Sequence, residues 1–146
     1  MGVKLSGVRE LDRALAEMKK STARGVLKRV AMKALQPIAE AAQRFAPVDD
    51  GYLRDSIVVS DKLNDSASRD APKLARGERA TGITVYCGTT NRNGVPREFG
   101  TVRTAAQPFL RPAWHGGQDR VLKDVQQMLG EEIEKTAARA AKRKKE

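Results

Sequence analysis

The sequence predicts an α+β fold: N-terminal helices, a small antiparallel sheet run as a meander, and a long C-terminal helix. Three observations predict it. Apolar residues recur at steps of three and four before Pro47 and again after Arg120. Between those stretches lie two runs rich in β-branched residues, Ile57-Val58-Val59 and Ile83-Thr84-Val85. Gly, Pro and Asp punctuate the joints. At 146 residues, one domain spanning 1–146 is expected.

The elements follow in chain order. Val8, Leu11, Ala14, Leu15 and Met18 share one face of a short helix, with Ser6 as its candidate N-cap. Ser21 or Thr22 is placed to cap a second, longer helix. Its stripe runs Leu27, Ala31, Ala34, Ile38, Ala42, Phe45. The stripe is alanine-rich and suits close approach by a neighbour. Pro37 inside it predicts a kink or a local break. Pro47 disfavours helical geometry at Ala46, so the helix should end near Phe45. Val48-Asp49-Asp50-Gly51 reads as a turn, and Leu53–Asp61 as the first strand. Asn64–Ala80 is polar and aperiodic, and 61–81 is expected to be a basic mobile loop. Gly82–Gly88 is the clearest strand, and Asn93-Gly94 is a turn signal leading to a short third strand weakened by Pro96. Gln107-Pro108-Phe109-Leu110-Arg111-Pro112 marks the approach to a final helix. Gly116-Gly117 could interrupt that helix. Val121, Leu122, Val125, Met128, Leu129 and Ile133 carry it forward, and 136–146 follows as a basic segment expected to fray.

Lys and Arg number 28 against 18 Asp and Glu, a formal charge of +10. That excess favours a polyanionic neighbour without setting the fold. The single cysteine, Cys87, excludes an internal disulfide. No apolar run approaches the roughly 18 residues of a membrane span, and the first ten residues show no signal-peptide core. Assembly in the cytoplasm, away from any membrane, is the expectation.

Catalytic chemistry finds little footing. His115 is the one histidine, with no orienting partner or nucleophile indicated by the sequence. One His and one Cys do not make a metal site. Asp49, Asp50 and Asp55 read as turn chemistry, and Glu131, Glu132 and Glu134 as a solvated helix face. Gly82, Gly88 and Gly94 lack the spacing and lysine of a phosphate loop. Cys87 reads as a small strand hydrophobe. No enzyme, cofactor or metal is expected. The clustered bases could instead neutralise DNA phosphates without reading bases.

One constellation exceeds what composition explains: Ala46-Pro47-Val48-Asp49-Asp50-Gly51-Tyr52-Leu53-Arg54-Asp55-Ser56-Ile57, then Glu98-Phe99-Gly100-Thr101, then Ala106-Gln107-Pro108-Phe109-Leu110-Arg111-Pro112-Ala113. It resembles the tail-completion, or neck, family of lambda-like siphophages. There a long helix ends in an APVDTG-LR-SI turn and strand, a strand pair leads to EFGT, and QPFLRPA opens the last helix. The likeness runs in order from about Val3 into the 130s. Asp50 stands where the family usually has Thr. Residues Arg92–Arg97, with Pro96, replace its usual Tyr- and His-containing approach to EFGT.

The resemblance implies a structural subunit of the head–tail connector, placed in the virion. Its expected partners are copies of itself in a ring, with six as the family expectation, the head-closure or adaptor and tail-terminator or tail-tube proteins, and packaged DNA held non-specifically. Glu98, Phe99, Gly100, Thr101, Gln107, Pro108, Phe109, Leu110 and Arg111 are the candidate interface residues. The charged pair Glu98 and Arg111 either serves that interface or is satisfied locally. Lys62, Arg69, Lys73, Arg76 and Arg79 are the candidates for the DNA lumen. A free, non-sequence-specific DNA-binding architectural protein is the alternative reading of the charge.

Overall fold

A computed structural model of the chain describes residues 7–49, 51–62 and 83–143. The elements are helices α1 (Val8–Glu17), α2 (Lys20–Phe45) and α3 (Tyr52–Asp55), strands β1 (Ile57–Ser60) and β2 (Tyr86–Thr89), and helices α4 (Gly94–Phe99) and α5 (Leu110–Arg143). The expected α+β class holds, with helix dominant and a two-stranded antiparallel sheet.

The backbone of the fold is one row of side chains. Val26, Val30, Ala34, Ile38, Ala42 and Ala46 are all buried, and each lies four residues from the last. Such a row climbs across a helix at about 26° to its axis, so the partners covering it change along α2. At the N-terminal end, Val26 and Val30 meet Leu129 of α5 and are flanked by Leu11 and Leu15 of α1 and by Met18 just after it. At the C-terminal end, Ile38, Ala42 and Ala46 meet Ile57 of β1, Phe109 just before α5, and Ala113 and Val121 of α5. The expected stripe was half right. Leu27 and Ala31 are only half-buried and Phe45 is exposed, because the strict four-residue row passes them by and continues into Ala46.

α2 and α5 pack closely because small residues face each other. A Cβ on Gly117 would lie 2.4 Å from Ile38 Cδ1. That contact also accounts for the glycine pair failing to interrupt α5: each helical glycine costs about 1 kcal/mol relative to Ala, but packing against Ile38 recovers it. Pro37 likewise does not break α2, which runs through it for 26 residues.

The caps differ from expectation. α1 begins at Gly7, whose φ is 81°, and Ser6 lies outside the described residues; α2 begins after Lys19 with no side-chain cap, so neither Ser21 nor Thr22 serves. The first strand is shorter than read, since Gly51 (φ 77°) starts the α3 turn before Ile57. β1 pairs antiparallel with β2 in the register Ile57↔Thr89, Val58↔Gly88, Val59↔Cys87, Ser60↔Tyr86. Ile83–Val85 precede the second strand rather than form it. The Gln43 amide donates to the Ile57 carbonyl at 3.0 Å and ties the sheet to α2.

The third strand of the meander is absent: residues 94–99 form α4. Pro96 is the reason. It sits in the first turn of a helix, where the N–H it lacks has no intrahelical partner to lose. The basic segment from Thr136 is helical as far as Arg143. The basic loop expected at 61–81 lies almost wholly outside the described residues, Asp61 and Lys62 excepted.

Candidate functional site

α5 starts without a polar residue of its own at its head: Pro108 and Phe109 precede Leu110. The first N–H groups of any helix lack intrahelical acceptors and must find others. Here they find Glu98, from the last turn of α4. Its Oε2 accepts from the Phe109 N–H at 2.8 Å and the Leu110 N–H at 3.0 Å, and its Oε1 from the Arg111 N–H at 3.0 Å. The next residue, Pro112, has no N–H to satisfy. One carboxylate therefore completes the whole first turn, and its charge sits at the positive end of a 34-residue helix.

Arg111 closes the arrangement. Its Nε donates to Glu98 Oε1 at 3.0 Å and its Nη2 to the Glu98 carbonyl at 2.7 Å. Its guanidinium lies 4.8 Å from the centroid of the Phe99 ring, a stacking geometry that arginine favours. Glu98 is only 4% exposed. Burial pushes its carboxyl pKa up, but the three backbone N–H groups and the Arg111 side chain outweigh it, and the carboxyl is held below its ordinary value.

Gly100 makes the reversal between the two helices. Its φ of 78° and ψ of 175° lie in a region essentially restricted to glycine. A Cβ there would come within 2.9 Å of the Ala106 nitrogen and 3.1 Å of the Thr104 oxygen. Beyond it, residues 101–108 are exposed throughout yet internally tied. The Thr101 N–H donates to the Thr104 carbonyl at 2.8 Å, and the Thr101 hydroxyl accepts from the N–H groups of Arg103 and Thr104. The Gln107 N–H donates to the Arg97 carbonyl at 2.7 Å. Arg97 donates to Gln107 Oε1 at 3.1 Å and also to Asp49, which fastens the turn after α2 to the loop before α5.

The nine candidate interface residues thus fall into two groups. Glu98, Phe109, Leu110 and Gly100 build the junction, with Phe109 fully buried. Phe99, Thr101, Gln107, Pro108 and the half-exposed Arg111 side chain face outward. Glu98 and Arg111 satisfy each other. Sequence reading missed Arg97; its only signal was its place beside Glu98. It also passed over the apolar side chains exposed where α2 ends and α5 begins: Phe45, Val48, Tyr52, Phe99, Val102 and Trp114. Between the helices there, Ile38, Ala41, Phe45, Pro112, Ala113 and Gly116 line a groove of about 240 Å³.

Of the lumen candidates, Lys62 is exposed beyond β1, and Arg69, Lys73, Arg76 and Arg79 lie outside the described residues. His115 is exposed on α5. Cys87 is half-buried in β2, where burial pushes its thiol pKa up, away from reactivity. Among the described residues no cluster of His, Cys, Asp or Glu could hold a metal ion, and no helix is long and apolar enough to cross a membrane.

The fold and this junction define a class: a small α+β protein whose best-organised residues stiffen an exposed apolar end. Residues 9–100, more than half of the chain, match the family model described as "Bacteriophage HK97-gp10, putative tail-component", and the chain belongs to that family. It is a phage tail-related structural protein, located in the virion and interacting with other virion proteins. The matched region includes Glu98 but stops before the helix that Glu98 caps. Neither a curated protein nor a solved structure gives a match.

Proposed function

We propose that this chain is a non-enzymatic tail-completion or neck subunit that joins the phage tail to the head and surrounds the DNA passage. Copies of it form a ring, with six as the expected number, between head-closure or adaptor proteins and tail-terminator or tail-tube proteins. Rings of this kind use heterologous interfaces that close by rotation. One observation supports the reading most: six large apolar side chains stand exposed at a single end, around a loop and helix start fixed by Glu98, Arg97 and Gly100. Exposed apolar groups of that number on an ordered surface mark a contact site. Phe and Arg, which stack here as Phe99 and Arg111, are both enriched in protein interfaces relative to the rest of the surface.

The test is a phage carrying a nonsense codon in this gene, grown without suppression. DNA-filled heads and finished but unattached tails should accumulate, and supplied wild-type protein should join them. Normal yields of infectious particles without the protein would refute the role. The runner-up, a free DNA-binding architectural protein, draws on the +10 charge. It predicts that the protein is found on intracellular DNA and missing from purified virions.

A further inference from the structure

The opposite end of the molecule has another character. Ile38 packs against Gly117, and Leu129 packs with Val26 and Val30, so α5 runs antiparallel to α2. Leu11 of α1 lies against Gly130. By that register, position 137 of α5 is level with the start of α2, and residues up to Arg143 project past it by about 9 Å at 1.5 Å per residue. The projecting turns read Ala138-Arg139-Ala140-Ala141-Lys142-Arg143, without an acidic residue. Lys19 and Arg24 stand exposed on the neighbouring turns. Arg139, Lys142, Arg143, Lys19 and Arg24 have no ion-pair partner among the described residues, whereas Lys28 and Arg29, a turn further in, are paired with Asp61 and Glu132. Arg9, Arg13, Lys33, Arg44, Arg92, Arg103 and Lys123 also lack an ion pair among the described residues, but they are spread over α1, α2, α5 and two loops, whereas the pole gathers five bases at one end.

We infer that this basic pole, made by the C-terminal turns of α5 with Lys19 and Arg24, is a contact surface for the phosphate backbone of double-stranded DNA, read without regard to sequence. Among the described residues the surface carries no exposed aromatic or large aliphatic side chain: alanines alone separate the bases on α5. A protein partner would want an apolar interface core, and single-stranded nucleic acid would want stacking aromatics. Neither is present. Positions 139, 142 and 143 are three and four apart, so the three bases share one helix face, and long unpaired Lys and Arg suit phosphates spaced along a duplex. The matched family residues end at Gly100, so this pole draws on the chain's own structure. The inference deepens the head–tail reading by saying which surface would meet the DNA, but it stands or falls separately: the isolated chain can bind DNA or not, whatever the nonsense phage does.

The experiment is fluorescence anisotropy of a labelled duplex of arbitrary sequence with the full chain, between about 50 and 200 mM salt. Replacing Arg139, Lys142 and Arg143 together by Gln should lower the slope of log affinity against log salt by about 3, at roughly 0.9 per phosphate contact, and weaken binding at least about tenfold at the low-salt end. Lys19→Gln with Arg24→Gln should lower the slope by about 2. All five side chains are exposed, so the thermal midpoint should hold. Unchanged slopes in both variants would overturn the inference. So would loss of duplex binding on neutralising Arg69, Lys73, Arg76 and Arg79 alone, or pole-dependent binding to polyglutamic acid as tight as to the duplex.

Discussion

The two ends of this molecule use charge in opposite ways. Where α4 meets α5, Glu98 is buried and every one of its acceptor positions is engaged, by three backbone N–H groups and Arg111. At the far end of α5, Arg139, Lys142 and Arg143 are exposed and have no ion-pair partner among the described residues. A buried charge that is fully hydrogen-bonded organises a fold, and it is lost at great cost. An exposed, unpaired charge contributes almost nothing to folding and is free for a partner. The pairing state of a charge, more than its sign or its place in a motif, separates structure from contact here.

The largest effect should follow from breaking the buried end. Glu98→Ala leaves three N–H groups and Arg111 Nε without their acceptor, and should cost about 3 kcal/mol or more in urea unfolding. At roughly 3 °C per kcal/mol, the thermal midpoint should drop by about 10 °C. Gly100→Ala should follow, at about 2 kcal/mol, because its backbone conformation is strained for any L side chain and the new Cβ meets backbone atoms that cannot swing away. The same denaturant titration reads it.

A smaller effect is pH-dependent. The Glu98 carboxyl is held below its ordinary value in the folded chain. Its contribution is therefore complete above the unfolded value, near 4.5, and fades as pH falls through the lower, folded value. Stability should decline below about pH 4.5, and Glu98→Gln should remove part of that decline. An equal acid decline in the variant would assign the effect elsewhere. Smallest of all should be Arg29→Ala. Its pair with Glu132, at 3.2 Å, lies at the surface, and its loss should leave the urea midpoint almost unchanged. A larger cost would erase the distinction drawn between buried and exposed charge.

The long helices were legible because their period depends on local spacing: Ile38 and Ala42, or Val121 and Leu129, are recognisable from neighbours three and four away. What escaped was non-local or overridden. Residues 94–99 read as a weak strand, yet Pro96 fits a first helical turn better than a sheet. Gly116-Gly117 read as a break, yet the glycine at 117 gives Ile38 room to pack directly on α5. Serine caps were expected at two helices, but the one cap that matters is a glutamate on another element, eleven to thirteen residues ahead of the N–H groups it serves. No local rule announces such a cap. The linked motifs around Glu98 and Gln107-Pro108-Phe109 carried the family resemblance and left open whether Glu98 and Arg111 serve an interface or are satisfied locally. The lumen candidates Arg69, Lys73, Arg76 and Arg79 fall outside the described residues.

The central claim is that Glu98 belongs to the interior of its own subunit as the cap of α5. Native-state amide hydrogen exchange of Phe109, Leu110 and Arg111, followed by NMR, tests it most directly. First-turn amides of a helix normally exchange quickly for want of an acceptor. Capped as described, these three should exchange slowly in the wild-type chain and become fast in Glu98→Gln while the middle of α5 stays protected. Rapid exchange at all three in the wild-type protein would contradict the account.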